Sequence, residues 1–106
     1  MTYQLGTALM DAMVLAIISK DDAYGYSISQ QLKRVTTIRE STLYPILRRL
    51  QQQGYLETYD QPFQGRNRKY YTITEGGRVQ HRYYVEEWKK YRNEVEDIIM
   101  GGIQDE

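Results

Sequence analysis

Two short stretches, Tyr55–Tyr59 and Lys69–Thr74, alternate with a period of two, and the nine residues DQPFQGRNR separate them. That alternation marks half-buried strands, so the pair predicts one β-hairpin. Elsewhere the apolar residues recur at spacings of three and four, the period of a helix. An isolated hairpin is not stable in water without a layer packed on it. The fold class that follows is mainly α with a small β-hairpin (α+β). The segment between the strands is polar, contains Pro62 and Gly65, and is too long for a tight two-residue turn, so it is expected to project as a loop.

The helices can be placed around that hairpin. Gly6–Ser19 carries Leu9, Met10, Met13, Val14, Ile17 and Ile18 in one wide stripe. Lys20–Gly25 reads as a turn, after which Ser27 is positioned to cap a second helix, Ile28–Val35, with Ile28, Leu32 and Val35 on one face. Thr36-Thr37-Ile38 is a β-branched, extended connector. A third helix, Glu40 to Gln53, would bury Leu43, Ile46, Leu47 and Leu50 and stop at Gly54. Pro45 lies inside it, so the helix should begin near Arg39–Ser41 or bend at Pro45. Thr74-Glu75-Gly76-Gly77 opens the last element. From Arg78 to about Met100 the residues Tyr84, Trp88, Tyr91, Val95 and Ile98 draw a heptad-type seam, which implies pairing with another helix. The tail Gly101–Glu106 is expected to fray.

With 106 residues there is room for one domain, or for a small domain plus a protruding element. The expected division is residues 1–74 as the folded head and residues 75–106 as a C-terminal helix with its tail. There is no Cys, hence no disulfide framework and no thiolate metal site. The start, MTYQLG, lacks the basic and apolar regions of a signal peptide, and the longest apolar run, Ala12–Ile18, is too short to span a bilayer. A cytoplasmic protein with no membrane partner is expected. His81 is the sole histidine, no Gly-rich phosphate loop precedes a helix, and the acids of the last helix alternate with Lys89, Lys90 and Arg92 as on a solvated face. These features argue against an enzyme, a metal site or a cofactor.

Net charge is zero, but its distribution is uneven. Residues 33–69 hold eight basic side chains against three acidic, whereas the segments before and after are both net negative. A basic middle segment is the electrostatic footprint of a nucleic-acid partner. The order helix, helix, turn, helix, hairpin, long helix is that of a winged helix-turn-helix, in which the second helix of the pair enters the major groove of double-stranded DNA. Its exposed side here carries Ser41, Thr42, Tyr44, Arg48 and Arg49. Hydroxyls at the helix N-terminus suit phosphates or base edges, and Arg48 suits guanine, which predicts that Arg48→Ala weakens specific binding more than nonspecific binding. Arg49 lies nearer the buried edge and is expected to pair with a carboxylate, and Tyr44 either touches DNA or covers the core edge. Arg66, Arg68 and Lys69 would form the wing tip, placed for phosphate or minor-groove contact. Tyr26 is a further phosphate candidate, with packing as the alternative. Tyr24 and Gly25 read as structural. The rival reading is a winged-helix protein-interaction module without DNA binding, which would gain if carboxylates neutralised the positive residues.

Two segments, STLYPILRRLQQQGYL and GRNRKYYTITEGG, make the sequence similar to the PadR family of bacterial transcriptional regulators. Thr42, Leu43, Tyr44, Pro45, Leu47, Arg49, Leu50 and Gly54 match its recognition helix. Arg68, Lys69, Tyr70, Tyr71, Thr74 and Gly77 match its wing, and Tyr24, Gly25, Tyr26 and Ile28 match an upstream segment. The resemblance spans about residues 5–100 and points to the short subgroup with a single C-terminal helix. It implies a homodimer in which that helix packs on the partner's first helix, repression at a pseudo-palindromic operator, and release by a small aromatic effector, phenolic or drug-like. In multidrug-sensing relatives a Trp at the place of Trp88 stacks on planar drugs between subunits. Trp88, with Tyr84 and Tyr91, therefore either lines an effector site or fills a closed dimer core.

Overall fold

The computed structural model describes residues 6–104. The chain runs α1 (Thr7–Lys20), β1 (Ala23–Tyr24), α2 (Gly25–Leu32), α3 (Glu40–Gln52), β2 (Leu56–Phe63), β3 (Arg66–Ile73) and α4 (Glu75–Gln104). The strands form one antiparallel sheet in the order β1-β3-β2. Four helices and a small sheet in this order make a winged helix with a long C-terminal helix.

α1 is the centre of the core. Met10, Val14, Leu15 and Ile18 are buried on it, against Ile28 and Leu32 of α2, Leu43, Leu47 and Leu50 of α3, and Leu56, Tyr71 and Ile73 of the hairpin. Leu15, outside the expected stripe, is fully buried because α1 has neighbours on several sides. Ile46, Met13 and Ile17 pack on the edge of this cluster.

The hairpin departs from expectation. The polar segment is not a loop: β2 and β3 pair to their ends, Phe63 opposite Arg66, and only Gln64 and Gly65 make the turn. Both have positive φ, 51° and 80°, the combination of a type I′ turn that matches the right-handed strand twist. Pro62 is tolerated because β2 is an edge strand and Pro62 faces Asn67, a pair at which neither residue's N–H points across the ladder.

Other boundaries shift for local reasons. Ala23 and Tyr24, expected in a turn, form β1 opposite Tyr71 and Tyr70. α2 starts at Gly25, earlier than expected, so Ser27 does not cap it; the Ser27 hydroxyl donates to the Tyr24 carbonyl instead. α2 also ends at Leu32, which leaves Val35 exposed rather than on the apolar face. α3 begins at Glu40 with Pro45 inside it, so the Ser41 carbonyl receives no N–H from Pro45. Gly54, at φ 83°, turns the chain from α3 into β2. Thr74 starts α4: its hydroxyl donates to the Gly54 carbonyl at 2.6 Å and accepts the Gly77 N–H at 3.0 Å. A Cβ on Gly77 would meet the Tyr55 carbonyl oxygen and Ile73, so only glycine lets α4 approach the hairpin there. The expected fraying from Gly101 is not seen, since the helix continues to Gln104, and the rest of the tail and the MTYQL start lie outside the described residues.

Candidate nucleic-acid interface

α2 and α3 meet at a close contact. The Tyr44 ring lies against Gly25, where a Cβ would come within 2.8 Å of the phenolic oxygen. Tyr44 thus seats the first turn of α2 on α3 while remaining 41% exposed. Ser41 and Arg48, on the same side of α3 as Tyr44, are exposed, Thr42 is exposed about 100° further round the helix, and Tyr26 stands exposed on α2.

Arg49 turns the other way. Its two terminal nitrogens donate to the two carboxylate oxygens of Asp11 at 2.7 and 2.9 Å, tying α3 to α1. The hydrogen bond to Asp11 raises the Arg49 pKa, with partial burial opposing it. Two-point geometry of this sort is the strong form of an arginine–carboxylate pair.

The strands divide the wing cations between two faces. Lys69 shares a face with Tyr71, and Arg66 and Arg68 lie on the other. Arg66 stands at the tip beside the turn. Arg68 is held inward: its guanidinium lies 4.0 Å from the centroid of Tyr24 and 3.6 Å from that of Phe63. Tyr24 in turn meets Tyr70 edge-on, and Tyr70 stacks on Tyr59. The Tyr59 hydroxyl donates to Asp22 at 2.7 Å, a bond that raises the phenol's pKa. An aromatic row therefore runs from β1 to the wing tip, with Arg68 inside it. No carboxylate lies within ion-pair distance of Arg48, Arg66, Arg68 or Lys69 among the described residues.

Lys69 faces α3. A cleft of about 330 Å³ between α3 and β3 is lined by Tyr44, Arg48, Gln51, Lys69 and Tyr71. Sequence reasoning missed Gln51 and Tyr71 there, although the period-two alternation already placed Tyr71 on the face of Lys69. It also missed Tyr24 and Phe63 as the partners of Arg68; the reading of 60–68 as a loop hid the register that joins them.

A second cleft, about 380 Å³, lies between α1 and α4 and is lined by Ala8, Leu9, Ala12, Tyr84, Trp88 and Tyr91 among others. Tyr84 packs on the core edge, whereas Trp88 and Tyr91 are 40% and 61% exposed and tilt against each other. Among the described residues no group of His, Cys, Asp or Glu is placed to hold a metal, and no helix is long and apolar enough to cross a membrane.

The profile of the PadR-like family of transcriptional regulators matches residues 14–83. A solved structure from Streptococcus mutans is 46% identical, with a TM-score of 0.90 and 95% of both chains covered. A PadR-like transcriptional regulator from Bacillus cereus is 30% identical with a TM-score of 0.79, covering 86% of this chain and 91% of its own. An uncharacterized protein of Lysinibacillus sphaericus is 35% identical over 90% of this chain and 91% of its own.

Proposed function

Because the chain belongs to the PadR-like family of transcriptional regulators, we propose that it is a cytoplasmic repressor that binds a pseudo-palindromic operator as a homodimer. Residues 1–74 are the DNA-binding unit and residues 75–106 the dimerisation helix and its tail. The observation that carries this reading is the shared outlook of α3 and the wing: Arg48 and Lys69 line one cleft without a carboxylate partner. Of the basic side chains in residues 33–69, Arg49 alone is spent on an ion pair among the described residues. In the dimer the two α3 helices would enter successive major grooves, about one helical turn apart. Ser41, Thr42 and Tyr44 meet the groove, Arg48 contacts DNA where α3 meets the wing, and Tyr26, Arg66, Arg68 and Lys69 meet the flanking backbone. Arg68 does so from between two rings, which limits its reach and leaves Arg66 as the exposed cation of the tip.

The α1–α4 cleft is the place for an effector. Its lining of Leu9, Ala12, Tyr84, Trp88 and Tyr91 suits a flat aromatic compound held by stacking. Such a compound would relieve repression by favouring a dimer whose recognition helices are mis-spaced for the operator.

The test is a titration against duplex DNA from the protein's own promoter region and against random duplex, at two salt concentrations. Saturable, salt-sensitive preference for one palindrome supports the reading, and the same complex can be challenged with phenolics and cationic dyes. No preference over random DNA at either salt would favour a protein-docking winged helix instead.

A further inference from the structure

The cleft between α3 and β3 holds polar groups that the fold leaves unused. Tyr71 is only 6% exposed and belongs to the core cluster. Among the described residues no buried side-chain polar atom lacks a partner, yet no hydrogen bond takes up the Tyr71 hydroxyl. Its tip therefore opens to the solvent of the cleft. Beside it Arg48 and Lys69 have no carboxylate within ion-pair distance among the described residues. Burial raises the Tyr71 pKa, the neighbouring Tyr44 adds to this, and Arg48 opposes it, so the phenol remains a donor at neutral pH. The lining is thus an arginine, a lysine, two tyrosines and the Gln51 amide, with no acid. A donor-rich set with positive charge and no carboxylate selects a phosphate-type anion.

We propose that this cleft seats one phosphodiester of the DNA backbone, held by Arg48 and Lys69 and completed by Tyr71 and Gln51. The proposal rests on the DNA-binding reading and deepens it. Recognition helix and wing grip the same phosphate, which fixes where Ser41 and Thr42, about 10 Å away along α3, meet the bases. It also moves Arg48 from base reading to backbone contact, which reverses the expectation drawn from the sequence.

The experiment measures affinity for promoter and random duplexes across a salt series. Lys69→Gln, at an exposed position, should weaken binding to both by a similar factor, about tenfold, and lower the salt slope by about one. Tyr71→Phe should weaken both severalfold and leave the slope unchanged, and Arg48→Ala should affect both duplexes alike. A scan of single methylphosphonate linkages should find one position that costs the wild type most of what Lys69→Gln costs, and to which Lys69→Gln is insensitive. Thermal melting of each variant checks that the fold is kept. Wild-type binding with unchanged affinity in Lys69→Gln and Tyr71→Phe, or a loss in Arg48→Ala confined to the promoter duplex, overturns the phosphate seat and leaves the regulator reading intact. Failure of the wild type to prefer promoter DNA defeats that reading itself.

Discussion

The Asp11–Arg49 pair is asymmetric, and the asymmetry can be measured. The Asp11 side chain is 4% exposed and the Arg49 side chain 37%. Removing Arg49 strands a carboxylate away from water, whereas removing Asp11 leaves a guanidinium that can still hydrate. Breaking a buried pair costs about 3–5 kcal/mol, and exposed pairs contribute about 0–1 kcal/mol. Arg49→Met should therefore cost about 3 kcal/mol in denaturant unfolding and Asp11→Ala about 1 kcal/mol. Equal costs would mean that the carboxylate finds other partners once Arg49 is gone. Tyr71 supplies a pH test. Its pKa is raised in the fold, chiefly by burial. The folded state thus holds the phenolic proton more tightly than the unfolded chain, so this contribution is full below pH of about 10 and is lost as pH rises through the folded value. Melting temperature measured between pH 9 and about 11 should fall less steeply for Tyr71→Phe than for the wild type. Parallel curves would show that the phenol ionises freely in the folded protein.

Within the wing, the turn and the aromatic row act at different points. Gln64 occupies a left-handed conformation, φ 51°, at the first turn position, which asparagine tolerates better than glutamine. Gln64→Asn should raise stability by about 0.5 kcal/mol, read as a higher melting temperature without loss of DNA binding. A drop would mean that Gln64 makes a contact the turn needs. The elements themselves were largely legible: α1, α3 and α4 follow their apolar spacing, and Gly54 ends α3 as its position implied. What escaped has physical causes. A two-residue strand such as β1 is too short to show alternation and exists only because β3 offers it an edge. Of residues 60–63 and 66–68 only Pro62 and Phe63 are apolar, and they are adjacent, so no alternation marks these segments as strands, and their pairing is set by the turn instead. The candidate site was legible in part for the same reason. Arg48 and Lys69 announced themselves by charge, while Tyr71 and Gln51 needed the register of β3 against α3 to be seen as their neighbours. Arg49 was separable from Arg48 because a helix places adjacent residues about 100° apart, and one of them had to face inward.

At the level of the whole molecule the single chain is too long for its mass. A compact chain of this length has a radius of gyration of about 13 Å, whereas this one has 16.3 Å and extends 61 × 30 × 20 Å. The excess is α4, 30 residues and hence about 45 Å of helix, which lines a cleft with α1 as far as Tyr91 and whose residues 92–100 are exposed apart from Val95. The heptad seam runs out along that distal part, with Ile98 84% and Ile99 67% exposed. Large aliphatic side chains this exposed, in line with Tyr91 and Trp88, form an apolar face that burial against a partner helix would stabilise. Covering a side chain of this size contributes about 1.5–3 kcal/mol. If a second copy supplies the cover, Ile98→Glu should leave the fold of the head intact while raising the dimer dissociation constant by about tenfold or more. Sedimentation equilibrium at micromolar concentration should then show monomer where the wild type shows dimer. The wild-type melting temperature should rise with protein concentration, as mass action requires of a dimer that unfolds to separate chains, and that dependence should weaken in the variant. A wild type that sediments as a monomer, with a concentration-independent melting temperature, would remove the second copy as the partner of this face, and with it the two-helix contact on the operator.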